Sequence, residues 1–282
     1  MDVSIVIVNY NTKDLLKNCL NSIISHTKDC SYEIIVVDND SHDLSLTMLE
    51  DDFPTVIVIK SKDNLGFGRA NNVGVGHAKG KYLFFLNSDT ILLNDAVSLF
   101  FSFAEQYNKK FGALGCILEG PNGRTCHSYG KLITPATELR QAFSRYFRFL
   151  KQKWIIMPER VNTAMEVGYV TGADMFVPRN IFELTGGFDP DYFMYCEEVD
   201  WQKRMKDLNL PRVIIPGPRI IHLEGGSDEN KRKGWSASRI RNIQESRNLY
   251  YDKHFNPIIL PLFRTMMRII QCPWKIITKI KN

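Results

Sequence analysis

Apolar residues arrive in short blocks over the first hundred positions. Val3–Val8 is an unbroken run rich in β-branched residues, the pattern of a strand covered on both faces. Glu33–Val37, Thr55–Ile59 and Tyr82–Leu86 repeat it. Between these runs the apolar spacing becomes helical. Leu15, Leu16, Cys19, Leu20, Ile23 and Ile24 share one face of a first helix, with Thr12 placed to cap it. Helices follow over 67–78 and 95–107. Strands alternating with short helices predict an α/β fold, a Rossmann-like, mostly parallel sheet flanked by helices.

Beyond residue 110 the rhythm changes. A strand over 112–118 leads to a turn at Pro121-Asn122-Gly123. Residues 138–158 mix aromatic and basic side chains, 167–177 reads as a strand, and 197–208 as a helix opening on two glutamates. Both parts are expected to share one continuous sheet.

Charge adds an asymmetry. The chain carries +5 overall, but residues 229–282 hold twelve Lys/Arg against three Asp/Glu, a net +9 that leaves −4 on residues 1–228. A basic end suits an anionic membrane surface. The mildly acidic body argues against nucleic acid as a partner. Six cysteines form no CxxC pair, so free thiols in a reducing compartment are expected. The first apolar run reaches Asn9 too soon for a signal peptide, and no run of about 18 apolar residues suggests a spanning helix. A cytoplasmic protein is expected.

Ligands bind sheets of this kind at the C-terminal strand ends. Three polar loops stand there: Asn9-Tyr10-Asn11, Asp38-Asn39-Asp40 and Asn87-Ser88-Asp89. They are expected to converge on one crevice. Asp38 has two readings, a carboxylate that accepts N3–H of a pyrimidine base or a turn residue. Asn64-Leu65-Gly66-Phe67-Gly68 is a glycine-containing loop opening a helix, suited to phosphate or to a plain left-handed turn. Asp89 suits a hard divalent cation, and the alternative for its loop is an N-cap of helix 95–107. Glu197, Glu198 and Asp200 lie within four residues, behind Tyr192-Phe193-Met194-Tyr195. A carboxylate beside aromatics can carry a raised pKa suited to a base. Asp200 and Arg204 are also spaced for an i,i+4 ion pair. His222 follows a strand and precedes Gly225-Gly226, which makes a ligand or phosphate role credible.

Taken in order, these stretches resemble the family-2 glycosyltransferases of GT-A fold, the bacterial rhamnosyltransferase-like group in particular. The matching residues are Val6-Ile7-Val8-Asn9-Tyr10-Asn11, Val36-Val37-Asp38-Asn39, Asn64-Leu65-Gly66-Phe67 and Ala70-Asn71-Asn72-Val73-Gly74. Phe85-Leu86-Asn87-Ser88-Asp89, Gly186-Gly187-Phe188-Asp189, Phe193–Asp200 and His222 continue the series, which spans roughly residues 3–228. The resemblance implies an inverting, metal-dependent transferase of cell-surface polysaccharide synthesis. A UDP- or dTDP-linked sugar would pass to a hydroxyl of a glycan or lipid-linked saccharide. It places the donor on Val8, Tyr10, Asn11, Asp38, Asn64, Gly66, Phe67, Asn71, Asn87 and Ser88. It places the acceptor on Gly172, Gly187, Phe188, Asp189 and Asp200, and Mn²⁺ or Mg²⁺ on Asp89 and His222. Glu198 falls where the family has the catalytic Asp of Glu-Asp, so either Glu198 or Glu197 is the base. Asn87 replaces the first Asp of the DxD motif, which gives His222 more weight. Residues 1–253 then form one GT-A domain, a nucleotide-sugar half over 1–110 and an acceptor half over 111–253.

Residues 254–282 read as a basic amphipathic extension. Arg264, Arg268, Gln271, Lys275 and Lys279 form one helical stripe, interrupted or kinked at Pro273, opposite apolar residues and Trp274. Such a helix lies in a membrane interface or packs on the core or on a second subunit. The stretch Arg140–Trp154 belongs to the same surface or to a packed helix. Two rival functions are a sugar nucleotidyltransferase and a catalytically inert binding module. The first expects a glycine-rich loop after strand one, where Asn9-Tyr10-Asn11-Thr12 stands.

Overall fold

The four N-terminal apolar runs form adjacent parallel strands. The structure, a computed structural model, describes residues 1–146, 160–223 and 237–280, without the side chains of 144–146 and 271–280. Strand β1 (Val3–Asn9) leads to α1 (Lys13–His26), β2 (Tyr32–Asp38), α2 (Ser45–Asp52) and β3 (Ile57–Lys60). Helix α3 (Phe67–Val75) follows, then β4 (Tyr82–Asn87), β5 (Thr90–Leu92) and α4 (Ala96–Gln106). Helix α2 is an addition to the sequence expectation.

Thr12 occupies the N-cap position of α1 but makes no cap hydrogen bond. Its hydroxyl donates instead to Asn9 Oδ1 at 2.7 Å, and Asp43 takes the Lys13 N–H at 2.7 Å. Of the expected apolar face, Leu16, Cys19, Leu20 and Ile23 are buried, whereas Ile24 is exposed.

The second half is more broken than expected. The strand over 112–118 splits into β6 (Ala113–Gly115) and β7 (Leu118–Glu119), which belong to different sheets. The reason lies at Cys116. Its N–H donates to the Asp174 carboxylate at 2.7 Å rather than to a neighbouring strand. After β8 (Tyr129–Gly130) and α5 (Pro135–Tyr146), the expected strand over 167–177 becomes three. These are β9 (Met165–Val167), β10 (Tyr169–Val170) and β11 (Asp174–Pro178). The middle piece leaves the main sheet to pair with β8. Helices α6 (Arg179–Thr185) and α7 (Glu197–Asp207) precede β12 (Arg212–Ile214) and β13 (Ile220–His222). Helices α8 (Ala237–His254) and α9 (Leu260–Ile280) complete the described chain.

The main sheet runs β3-β2-β1-β4-β11-β6-β12-β9, so both halves share it as expected. β3 to β4 are parallel, while β11 runs antiparallel to both β4 and β6. A small sheet, β5-β13-β7, crosses near the end of β4. Apolar residues fill both faces of the main sheet. A mostly parallel sheet between helical layers is the architecture expected from the sequence.

A third apolar cluster joins Tyr192, Cys196 and Val199 to Tyr250, Tyr251 and Phe255 of α8, and to Leu260 and Phe263 of α9. Helix α9 therefore packs one face on the body, and its backbone stays helical through Pro273 rather than being interrupted. Ile258, Leu262 and Ile269 stay exposed, and Arg264 pairs with Asp252. Gln271, Lys275 and Lys279 of the basic stripe, and much of Arg140–Trp154, lie outside the described side chains. No helix among the described residues is long and apolar enough to cross a membrane. Cys19, Cys30, Cys116, Cys126 and Cys196 are free thiols.

Candidate functional site

Parallel register builds the crevice. Asn9 stands opposite Asp38, and Val8 opposite Asn87, so the ends of β1, β2 and β4 share one edge. The loops beyond them then bond to one another. Asn9 Nδ2 donates to Asp38 Oδ2 at 2.9 Å and to Ser41 Oγ at 3.0 Å. Thr12 Oγ1 lies 2.9 Å from Ser88 Oγ. The convergence expected of the three loops is present.

Asp38 shows the turn role. It is 1% exposed, and Oδ1 accepts the Ser41 N–H at 3.0 Å. Asn11 is left-handed at φ 52 and accepts the His42 N–H at 2.7 Å, which ties the first loop to the second. Tyr10 is exposed at the mouth, and Val8 is half-buried below it.

Asn39 is the hub that sequence reasoning quoted without a role. Its Nδ2 donates to Asn64 Oδ1 at 2.9 Å and to Gly66 O at 3.1 Å, and its Oδ1 accepts the Leu65 N–H at 2.8 Å. It thereby shapes the loop that opens α3. Gly66 has φ +80, and a Cβ there would stand 2.0 Å from Phe193 O. Phe67 N–H donates to that same oxygen at 3.0 Å. The glycine loop is thus pressed against the segment leading into α7.

Several expected contact residues are interior. Asn71 is 1% exposed and donates to Phe67 O within its own helix, so it does not open on the crevice. Phe188 is 0% exposed, packed between Phe67, Phe85 and Trp201. Gly187 is buried at φ 67, and a Cβ there would meet the Phe182 ring at 2.5 Å. Asp200 is 1% exposed with both oxygens engaged, by His254 and Tyr192 on one side and Arg204 on the other. The ion-pair reading of Asp200 is the one the geometry displays. Gly187 and Phe188 thus anchor the loop over 186–191 in the interior. Asp189 is half-buried and pairs with Lys253, which holds its carboxyl below the usual range against the cost of burial. Asn72, which received no role from sequence, clamps this loop. Its amide accepts the Phe188 N–H at 3.1 Å and donates to Phe188 O at 2.7 Å.

Glu197 and Glu198 differ in setting. Glu197 is 4% exposed with one oxygen unpartnered, and burial, then the Glu198 charge, push it well above the usual carboxylate range. Glu198 is only half-buried and is also pushed up by burial. It flanks Gly172, where a Cβ would stand 3.0 Å from Phe67 and 3.9 Å from Glu198. A raised carboxylate that solvent can reach is a stronger proton acceptor than an ordinary one.

Asp89 does not cap α4. That cap is Asp95, which accepts the Ser98 N–H. Instead β13 pairs with β5 so that His222 faces Thr90, next to Asp89. His222 Nε2 lies 3.2 Å from Asp89 Oδ1 and 3.3 Å from Asn87 Nδ2. Burial opposes a charged ring, but the Asp89 carboxylate, with Cys126, holds His222 at about 10. A divalent ion binds neutral imidazole and would take the place of that proton. Among the described residues no group of three or more His, Cys, Asp or Glu forms a cage. Two such ligands fit an ion that completes its shell with substrate phosphate and water, as Mg²⁺ does.

Comparison with known proteins gives the family and the fold. Residues 4–163 match the family model described as Glycosyl transferase family 2. Rhamnosyltransferase WbbL of Escherichia coli is 28% identical over 227 residues, covering 78% of this chain and 83% of its own length. N-acetylglucosaminyl-diphospho-decaprenol L-rhamnosyltransferase of Mycobacterium tuberculosis is 25% identical over 232 residues, 77% of this chain and 75% of the relative. Among solved structures, GalNAc-T7 with UDP, GalNAc and Mn²⁺ aligns at a TM-score of 0.61 and 17% identity, over 95% of this chain and 54% of that one. TarS 1-349 of S. aureus in complex with UDP gives 0.55 at 16%, over 93% and 78%. The structural likeness shows the fold.

Proposed function

The chain belongs to glycosyl transferase family 2 and is a glycosyltransferase, and on that premise we propose a specific reaction for it. It moves a sugar from a UDP- or dTDP-linked donor to a hydroxyl of a glycan or lipid-linked saccharide, with inversion, in the synthesis of a surface polysaccharide. The observation that carries this reading is the contact of Gly66 and Phe67 with Phe193 O. It packs the N-terminus of α3 against the segment leading into α7, so that the Asn39-shaped loop and the raised carboxylates border one space.

In that space Glu198 takes the proton of the acceptor hydroxyl. The freed oxygen attacks the anomeric carbon from the side opposite the leaving group. The bond from that carbon to the phosphate oxygen breaks, and its electron pair leaves with the nucleotide diphosphate. Tyr10 and the Asp38 loop flank the base, and the Asn39-shaped loop holds the donor. Asp89 and His222 would hold Mn²⁺ or Mg²⁺, which would supply positive charge against the developing charge of the diphosphate. The apolar residues Ile258, Leu262 and Ile269 meet a membrane surface and bring the enzyme to a lipid-carried acceptor. Flotation with anionic vesicles checks that part, and an Ile258→Glu/Leu262→Glu pair is expected to abolish it.

A panel of nucleotide sugars with Mn²⁺ or Mg²⁺ tests the reaction. One nucleotide class is expected to turn over, and EDTA to stop it reversibly. Glu198→Gln is expected to lose about 10²–10⁴ in kcat while still binding donor. Asp89→Ala is expected to lose metal-dependent turnover. If a donor binds but never reacts, the inert binding module is the better account. Full activity in Glu198→Gln transfers the base role to Glu197.

A further inference from the structure

Helix α8 lies outside the family match at 4–163, yet it holds the segment that carries the base. Ser246 donates to Met194 O at 2.8 Å. Lys253 Nζ meets Asp189 at 2.5 Å and Asp191 at 2.7 Å, and stands 5.4 Å from the Tyr192 ring. His254 Nε2 lies 2.7 Å from Asp200 Oδ1. Tyr250, 0% exposed, packs between these contacts in the cluster that includes Tyr192 and Cys196. Positions 246, 250, 253 and 254 fall on one helical face. That face meets residues 189–200, and Tyr250 also donates to Ile133 O at 3.3 Å.

What it holds is under backbone strain. Tyr195 and Cys196 take φ 73 and φ 65, two successive left-handed residues without a glycine. Such residues persist only where their surroundings fix them. Glu197 and Glu198 follow at once, so this hinge sets where both carboxylates point. Helix α8 grips the chain on either side of the hinge, at Met194 before it and Asp200 after it.

We propose that Ser246, Lys253 and His254 are positioning residues, which hold the Tyr195–Cys196 hinge and so aim Glu198 at the acceptor. The proposal rests on the role given to Glu198 only for its effect on turnover; the bracing itself stands on the contacts. Two consequences follow from the geometry. Loosening α8 changes the acceptor side and the base, and leaves the nucleotide loops at β1, β2 and β4 untouched. Restoring a cation at 253 restores the grip, because two carboxylates wait there.

The test uses the full chain with Ser246→Ala, Lys253→Met, Lys253→Arg and His254→Ala. Hydrogen exchange at 193–200 is expected to rise about tenfold or more in Lys253→Met and His254→Ala, the size of one lost charged hydrogen bond. Amides of β1, β2 and β4 are expected to keep their protection, and titration with UDP and dTDP to give wild-type Kd values. On whichever nucleotide sugar the wild type turns over, kcat is expected to fall about tenfold at unchanged donor KM. Lys253→Arg is expected to recover both readings. Wild-type exchange at 193–200 in all variants overturns the proposal. So does a parallel loss of nucleotide affinity, which marks a general structural defect. If His254→Ala does not fold, Lys253→Met at the exposed Lys253 and the small Ser246→Ala truncation decide the matter. A wild type that turns over no donor refutes the reaction proposed above, while exchange still decides whether α8 braces the loop.

Discussion

In the donor half, parallel register alone brings Asn9, Asp38 and Asn87 to a common edge, and short amide and hydroxyl bonds do the rest. In the acceptor half the main strands are three to five residues long, and the site loop is held by side chains from far along the chain. Asn72 reaches Phe188 from one side, and Lys253 reaches Asp189 from the other. The first half is positioned by regular secondary structure, the second by side-chain clamps. A loop held by clamps can be altered without disturbing the sheet.

The sharpest way to break this division is at the point where the halves meet. Gly66→Ala places a methyl 2.0 Å from Phe193 O at a φ of +80. With ψ at −170 this is a region essentially reserved for glycine, and an L-residue there costs about 1–3 kcal/mol for its backbone alone, before the clash is counted. A loss of about 3 kcal/mol or more is expected in urea unfolding, with nucleotide affinity lost as well. Near-wild-type stability would show that the halves slide freely there.

Asn72→Leu comes next. It leaves the Phe188 N–H and carbonyl without their clamp in a buried setting. About 2–3 kcal/mol of stability is expected to go, read by the same unfolding curve. The donor loops are expected to keep their nucleotide affinity, since Asn39 and not Asn72 shapes them.

This contrast also explains what was legible beforehand. The β-branched runs and their trailing polar loops announced the donor half, because a buried parallel strand leaves little choice of pattern. The acceptor strands were drawn too long. Nothing in residues 112–118 shows that Cys116 gives its N–H to a carboxylate 58 residues away. Phe188 and Asn71 sit in motif positions, yet motif membership does not say which way a side chain faces. Asp200 is instructive, since the i,i+4 spacing to Arg204 signalled its ion pair correctly. Its second partner, His254, is 54 residues distant and left no local trace. The Asp89–His222 approach was expected only from the family resemblance, and strand pairing of β5 with β13 supplies the cause.

Asp174 offers a smaller effect, on the acceptor side of the main sheet. Burial raises its carboxyl from 3.8 to about 7, although the Cys116 N–H lowers it in part. One of its oxygens has no hydrogen bond. The folded state therefore favours the neutral acid. Below about pH 4 both states are protonated and the group costs nothing. As pH rises from about 4 to 7 the unfolded chain ionises first, so stability falls. Asp174→Asn removes that slope. It is expected to be about 2 kcal/mol more stable than the wild type at pH 8, and no more stable at pH 4. Glu197 has the same sign and remains in both proteins, so the difference between their unfolding curves isolates Asp174. Parallel curves from pH 4 to 8 would show that the Asp174 carboxyl finds partners when it ionises.

The smallest expected effect is in the donor half. Thr12→Val keeps the β-branched shape and removes the hydroxyl that lies 2.7 Å from Asn9 Oδ1 and 2.9 Å from Ser88 Oγ. About 1 kcal/mol of stability is expected to be lost, with β1, β2 and β4 otherwise in register. Asn9 keeps its bonds to Asp38 and Ser41, so the crevice edge stands without Thr12. If unfolding shows a loss near that of Asn72→Leu, the donor loops depend on side-chain clamps as much as the acceptor loop does. If the loss stays near 1 kcal/mol, strand register carries the edge formed by β1, β2 and β4.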